Sequence, residues 1–509
     1  MKPGAWETLK LRYDKPTELQ DFGAAIPLGN GRLGAKVYGQ VATEQLNVNE
    51  ATLWSGIPRS YNNPNAAKAL VQVREALAKS EFKKADSLAR FMQGQNNQAY
   101  QPLGDVLLTF PDSKNYTAYS RELDLDRAVA TIRYKAGDVT YTRETFISYP
   151  DQVMVIRIYS DQKGRVNFTA TTTTQLQGKI KAGGTSIVMN GRAPMYVNTY
   201  NNPKEITWDK EKGMGFQSRL NIQVSGGNVS SASDTSLKVA NADTAVLLFT
   251  AATSFNGIDK EPGTQGKDYE AIVKKYMEAA AKKSYRQLLA NHLQDYQGLF
   301  RRLWVEINGE VPNRHALAYQ YARYNLIACS RPGSGAPRNE QGIWNRDLFP
   351  RYASNYTLNE NPNKYYAIAE PGNIGEVTEP LLKYVADLAK NGAVTAKVNY
   401  GFKGWVAHHN SDIWAMTTMA TGDPCWAMWP MGGVWLCENL WDRYEFTQDK
   451  NYLQKKAYPI LKGAAEFALD LLVPDKEGYH LLTSPSTSPE NHFFDQQGRR
   501  VAVAQGSTM

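Results

Sequence analysis

Cysteine is scarce in this chain, with three among 509 residues: Cys329, Cys425 and Cys437. None forms a CxxC pair, so neither a zinc knuckle nor a dithiol redox motif has support. An odd number leaves at least one thiol free. A Cys425–Cys437 disulfide stays open from spacing, and buried free thiols are the plainer expectation. No stretch approaches the 18 or so apolar residues of a membrane span, and Met1 to Trp6 carry no hydrophobic signal core. No run of five or six basic residues accompanies the net charge of +8. The cations are spread along the chain, which argues against the concentrated stripe that nucleic acid requires. The glycine-rich stretch Pro27 to Ala35, PLGNGRLGA, lacks both the GK[ST] ending and a βαβ setting. Nucleotide binding is therefore rejected, and glycine-dependent turns are expected there.

What the chain has is length and aromatics. Its 509 residues exceed one hydrophobic core, so two or more domains are expected. Eleven Trp and 29 Tyr supply faces that either stack on sugar C–H surfaces or fill cores. Residues 128–158 alternate with a period of two, punctuated at Gly137-Asp138 and Tyr149-Pro150-Asp151. Segments near 165–173, 185–190, 219–224 and 244–250 continue this pattern, which predicts a large antiparallel β-sandwich over 1–262. A helical insert is expected at about 65–93 from its Ala, Leu, Lys and Glu content. The period then changes. Residues 266–303 read as amphipathic helices, within a linker assigned to 263–310. Helical patterns recur at 314–330, 376–391, 431–446, 450–455 and 459–473. Paired helices with long loops and no sequence repeat fit an α/α toroid over 311–509. Only four or five of about a dozen helices are read, so the toroid is expected to be incomplete. The fold class is thus multidomain β plus α.

Three clusters carry candidate chemistry. Glu490 sits in TSPSTSPEN, Thr483 to Asn491, where Pro485 and Pro489 stiffen the loop and Ser486, Thr487 and Ser488 can bond backbone groups. Such a loop suits a general acid, and the bland reading is an exposed carboxylate. Asn359 and Asn361 flank Glu360. In extended backbone both amides would share a face, with Glu360 pointing away, and could orient a water or clasp two hydroxyls. Asx-turn chemistry is the bland alternative. His408, His409, Asn410, Asp412 and Trp414 crowd into VAHHNSDIW without HExxH spacing, so sugar recognition or structural hydrogen bonding is expected rather than a metal. Trp426, Trp429, Trp435 and Trp441 follow, and Gly432-Gly433 allow close helix packing or a tight turn.

These stretches, together with LNVNEATLWSG (Leu46 to Gly56), YQPLGDVLLTF (Tyr100 to Phe110), QGIWNRD, YTLNEN and WPMGGVWL, resemble glycoside hydrolase family 95, the inverting α-L-fucosidases and α-L-galactosidases. They occur in family order along nearly the whole chain. The resemblance implies a β-sandwich, a helical linker, an (α/α)6 catalytic barrel and a C-terminal β-domain. It implies Glu490 as general acid, and Asn359 and Asn361 as holders of the attacking water. It also implies an aspartate base well beyond TSPSTSPEN, expected past Met509. Thr357, His408, His409, Asp412 and Trp429 are the candidate substrate contacts. The chain departs from the family at NKYYAIAEPGN, Asn363 to Asn373, where Glu370 is kept and a tryptophan is not.

Inversion needs a protonated acid and a base-activated water on opposite faces of the sugar. Glu490 is therefore expected to have a raised pKa in a partly apolar pocket. The 509 residues alone are expected to show little turnover. The partner is a glycan, with no nucleic acid, membrane, metal or cofactor expected and no oligomeric state implied. A periplasmic or secreted location is expected, with the signal peptide taken as removed. The rival readings are a sugar phosphorylase on a similar barrel, which would need an anion site, and a carbohydrate-binding fragment without activity.

Overall fold

The structure is a computed structural model that describes residues 5–111, 115–200, 203–307 and 313–506. Two antiparallel sheets form the N-terminal part. One has nine strands, in the spatial order Lys10–Tyr13, Thr117–Asp124, Val129–Ala136, Val139–Ser148, Val153–Ser160, Thr244–Thr253, Gly215–Ser225, Ser186–Arg192 and Gln177–Gly183. The other has seven and is centred on Val166–Thr173, Gly104–Thr109 and Thr43–Glu50. The period-two pattern dictates what each face buries. Along Val129–Ala136, the side chains of Ala130, Ile132 and Tyr134 enter the core between the sheets, where Leu46, Val48, Val106, Leu108, Phe168 and Val239 also lie.

Val129 points the other way and is still buried. With Phe146, Val153, Val155 and Leu248 it packs under Met277, Ala280 and Leu288. These come from helices Tyr269–Ala281 and Tyr285–Phe300, the region read as a linker. Asp268 caps the first of them, and Ser284 with Gln287 forms a capping box on the second. The linker thus covers the outer face of the nine-stranded sheet.

The helical part contains Arg314–Cys329, Asn361–Tyr366, Glu379–Thr395, Gly432–Thr447 and Tyr458–Leu471. The boundary read between residues 310 and 311 lies outside the described residues. Three of the family-like motifs meet at the seam between sandwich and helices. Tyr324 Oη donates to the Pro27 carbonyl at 2.5 Å and Trp344 Nε1 to that of Leu28 at 2.8 Å. The Asn49 amide exchanges two hydrogen bonds with the Asn345 backbone, at 2.7 and 3.0 Å. Gly29 is required by this contact: a Cβ there would lie 2.3 Å from the Ala328 carbonyl oxygen. All three cysteines are buried free thiols, and burial pushes those of Cys425 and Cys437 up to about 12.

The helical insert is present as Ala66–Ala78 and Phe82–Ala89, but it does not pack into the sandwich core. Its apolar stripe, including Ala69, Leu70, Val73 and Leu77, lies against Tyr400, Val406, Phe467, Leu471 and Val503. It also holds the chain around Glu490. Arg74 donates to the carbonyls of Ser484 (2.9 Å) and Leu471 (3.1 Å). The buried Asp86 carboxylate accepts from Ala502 N (3.1 Å) and Val503 N (2.8 Å). Asp86→Ala leaves both amides without a partner and should lower the unfolding free energy by about 1–3 kcal/mol. Asp86→Asn keeps one acceptor and should cost less. Urea titration of both variants checks this, and equal losses would contradict it.

Candidate functional site

The site begins with a two-residue ladder. Tyr356–Thr357 pairs antiparallel with Asn410–Ser411, with Thr357 opposite Asn410, and Leu358 N donates to the His409 carbonyl at 2.7 Å. This places the YTLNEN and HHNSDIW motifs side by side. Beyond Thr357 the chain turns, and Asn361 starts the helix Asn361–Tyr366. The extended backbone expected across Asn359–Asn361 is therefore absent, because Pro362 in the first turn favours helix entry. Glu360 consequently does not point away. It lines the same cavity as both amides and pairs with Lys364.

That cavity has a volume of about 650 Å³. Its wall includes Thr357, Asn359, Glu360, Asn361, His409, Asn410, Ser488, Pro489, Glu490, Trp426, Trp429 and Trp435. Tyr200, Glu340, Tyr352 and Asn355 complete it. Six sequence candidates are thus brought together: Thr357, Asn359, Asn361, His409, Trp429 and Glu490. Gly432 lets the Gly432–Thr447 helix start close by, since a Cβ there would meet the carbonyl oxygens of Ala407 (3.0 Å) and His408 (2.9 Å).

His408 and Asp412 do not line the cavity, and their expected sugar contacts are corrected here. Neighbouring residues of an extended segment face opposite ways, so only one of two adjacent histidines reaches the cavity. His408 is fully buried, with Nε2 2.6 Å from Tyr400 Oη and Nδ1 2.6 Å from the Thr417 carbonyl. Burial pushes its pKa down to about 4, so it is neutral. The buried Asp412 carboxylate accepts from Gln98 N (2.7 Å), Trp414 N (3.0 Å) and Tyr61 Oη (3.2 Å), and burial raises its pKa. It ties the helical part to the sandwich.

On three residues of the cavity wall a polar atom is buried with no hydrogen-bond partner among the described residues: Asn359 Oδ1, His409 Nε2 and Trp429 Nε1. Buried polar atoms are normally satisfied, so the wall holds unspent hydrogen-bonding capacity just behind its surface. Asn97 orders the floor. Its Nδ2 donates to the Gln98 carbonyl at 2.9 Å, which turns its Oδ1 outward. That oxygen accepts from Asn410 Nδ2 (3.2 Å), Tyr200 Oη (3.2 Å) and Asn355 Nδ2 (3.3 Å). Asn410 Oδ1 is then left to meet His409 Nδ1, at 2.5 Å. The imidazole proton is thereby committed to Nδ1, and Nε2 faces Glu490 Oε1 at 3.5 Å. Sequence reading missed Asn97, Tyr200, Glu340 and Asn355, none of which stands out by spacing.

With the carboxyl side chain 61% exposed, desolvation is outweighed, and the His409 imidazole lowers the Glu490 pKa below the ordinary carboxylate value. This reverses the expected raised pKa. A ligand that seals the cavity opposes this lowering, because desolvation favours the neutral carboxyl. His409→Asn should move the Glu490 titration to higher pH. Carboxyl carbon NMR of the labelled glutamate checks this, and an unchanged midpoint would show that the two groups do not interact.

Both parts of the chain resemble known proteins. The model of the glycosyl hydrolase family 95 catalytic domain matches residues 307–509, and that of the glycosyl hydrolase family 65 N-terminal domain matches residues 11–258. Alpha-L-fucosidase 2 of Arabidopsis thaliana is 40% identical over 98% of the chain, and "Probable alpha-fucosidase A" of Aspergillus niger is 31% identical over 94%. The chain spans 63% of the length of each of these relatives. A solved structure titled "Putative kojibiose phosphorylase from human microbiome" superposes with a TM-score of 0.62 at 10% identity, covering 95% of this chain and 62% of that one. That likeness speaks to the fold alone. Residues 307–509, which carry all of the cavity wall but Tyr200, thus match the glycoside hydrolase family 95 catalytic domain, and the chain is similar to these relatives along nearly its whole length.

Proposed function

We propose that the cavity binds a terminal α-L-fucosyl residue and that the protein hydrolyses its glycosidic bond with inversion, on the (α/α)6 toroid plan of which these helices are part. The observation that carries this reading is one aromatic-lined cavity that brings the Glu490 carboxyl, with His409 beside it, together with two amides, Asn359 and Asn361. Glu490 delivers the proton to the leaving oxygen. The amides hold a water against the other face of the sugar, where a carboxylate base must take its proton, since neutral amides cannot. The tryptophans offer faces for the C–H side of the ring. The names of the relatives support fucose as the sugar. Phosphorolysis is disfavoured electrostatically: the cavity wall carries three glutamates, and among the described residues no lysine or arginine lines it to hold an anion.

The test is leaving-group dependence in the full-length protein. Glu490→Gln should cut turnover of natural α-L-fucosides by roughly 10²–10⁴-fold. An α-L-fucosyl fluoride, which needs little protonation, should lose much less. Equal losses on both would remove the acid role, and a product of retained anomeric configuration by NMR would remove the inverting scheme.

One wall residue bears on the neighbouring sugar. L-Galactose is L-fucose with a hydroxyl on C6. Thr357 Oγ1 donates to Asn355 Oδ1 at 2.7 Å, which leaves its lone pairs to accept from such a hydroxyl. Thr357→His should therefore shift kcat/KM towards α-L-fucosides over matched α-L-galactosides, by about 10–200-fold at most. An unchanged ratio would show that this position does not set the choice.

A further inference from the structure

Glu340 is a cavity carboxylate that the scheme above leaves without a role. It sits in a tight turn closed by mutual backbone hydrogen bonds of Asn339 and Gly342, both 2.9 Å, with Gly342 at φ +78. Its own N–H donates to the Asn355 carbonyl at 3.1 Å. The turn therefore fixes where the side chain starts. Its Oε1 accepts a short hydrogen bond from Asn361 Nδ2. Its Oε2 accepts from Tyr365 Oη at 3.2 Å. The Tyr365 ring is held in turn by the Arg338 guanidinium, 4.1 Å from its centroid, and Arg338 Nη1 donates to Asn325 Oδ1 at 3.1 Å.

An amide side chain can present either its oxygen or its nitrogen to a given spot, and the two forms have nearly the same shape. A carboxylate removes that freedom, because it only accepts. We propose that Glu340 is a positioning residue of the hydrolytic site: it holds the nitrogen of Asn361, so that the amide oxygen is the acceptor left for the attacking water. Asn361 Oδ1 makes no hydrogen bond within the described residues, as this requires. Glu340 acts through Asn361 and takes no proton from the water. The inference rests on the fucosidase reading for its kinetic effect, and on geometry alone for the amide orientation.

Gln, Asp and Ala at position 340 separate this role from its rivals in the full-length protein. Gln keeps length: its oxygen can accept from Asn361 while its nitrogen donates to Tyr365 Oη. Asp keeps charge and retracts the acceptor by one methylene. Glu340→Gln, which keeps an accepting orientation but can flip, should lose no more than about tenfold in kcat, whereas Glu340→Asp and Glu340→Ala should fall by up to about 10²-fold with KM little changed, the cost of a misplaced reacting group. Asp retaining activity while Gln loses it would overturn the assignment, since the charge itself would then matter. A rise in KM alone would also overturn it, by making Glu340 a sugar contact. A readout independent of turnover is the Asn361 side-chain amide in protein labelled with 15N-asparagine. Its hydrogen-bonded proton should move upfield in Glu340→Ala and stay in place in Glu340→Gln, and no change in Glu340→Ala would refute the orientation. Should wild-type protein leave aryl α-L-fucosides intact, the fucosidase reading falls, and the NMR result still decides the role of Glu340.

Discussion

Polar groups buried at the seam between sandwich and helices must find partners across it, and the architecture of the site follows from that constraint. An unpartnered buried donor or acceptor costs about 1–3 kcal/mol, comparable to a sizeable fraction of a domain's stability. Asp412, the Asn49–Asn345 exchange and the Asn97 hub each connect chain segments that are hundreds of residues apart. Satisfying them fixes the relative position of the two parts more narrowly than apolar contact alone, because hydrogen bonds are directional. The sandwich is therefore more than a neighbour of the cavity. Through Asn97 and Tyr200 it supplies part of the floor.

The same directionality reaches the acid. A backbone carbonyl at Gln98 orients Asn97, Asn97 orients Asn410, and Asn410 settles which nitrogen of His409 carries hydrogen. That leaves Nε2 as the nitrogen that faces Glu490, 3.5 Å from its Oε1. On the amide side Glu340 acts in a parallel way on Asn361. Both ends of the cavity use an acceptor of fixed identity to remove an ambiguity from the next side chain. The helical insert contributes from outside, as Arg74 and Asp86 grip the backbone on either side of the Glu490 loop.

Several motifs that carry the family resemblance lie away from the cavity. PLGNGRLGA, LNVNEATLWSG and QGIWNRD are seam residues, and their glycines, asparagines and tryptophans answer to close approach and buried hydrogen bonding. This explains why a sequence can be recognisable along its length while only a few positions touch ligand. It also explains why Asp412, flanked by residues of the right type, reads as a sugar contact: a carboxylate satisfied by two backbone amides and a tyrosine is indistinguishable in sequence from one that meets a sugar.

By itself the sequence determined the sandwich strands, the order of helices and the candidate acid, because side-chain periodicity and turn residues act locally. It also marked the two amides and the tryptophan cluster. Tertiary structure alone decided which of two adjacent histidines faces the cavity, that the chain turns at Asn359, and that the helical insert serves the Glu490 loop. It alone brought in Asn97, Tyr200, Glu340 and Asn355, and it lowered rather than raised the pKa of Glu490. These depend on which groups from distant segments become neighbours, and electrostatics and hydrogen bonding are set by neighbours in space, which spacing along the chain does not encode.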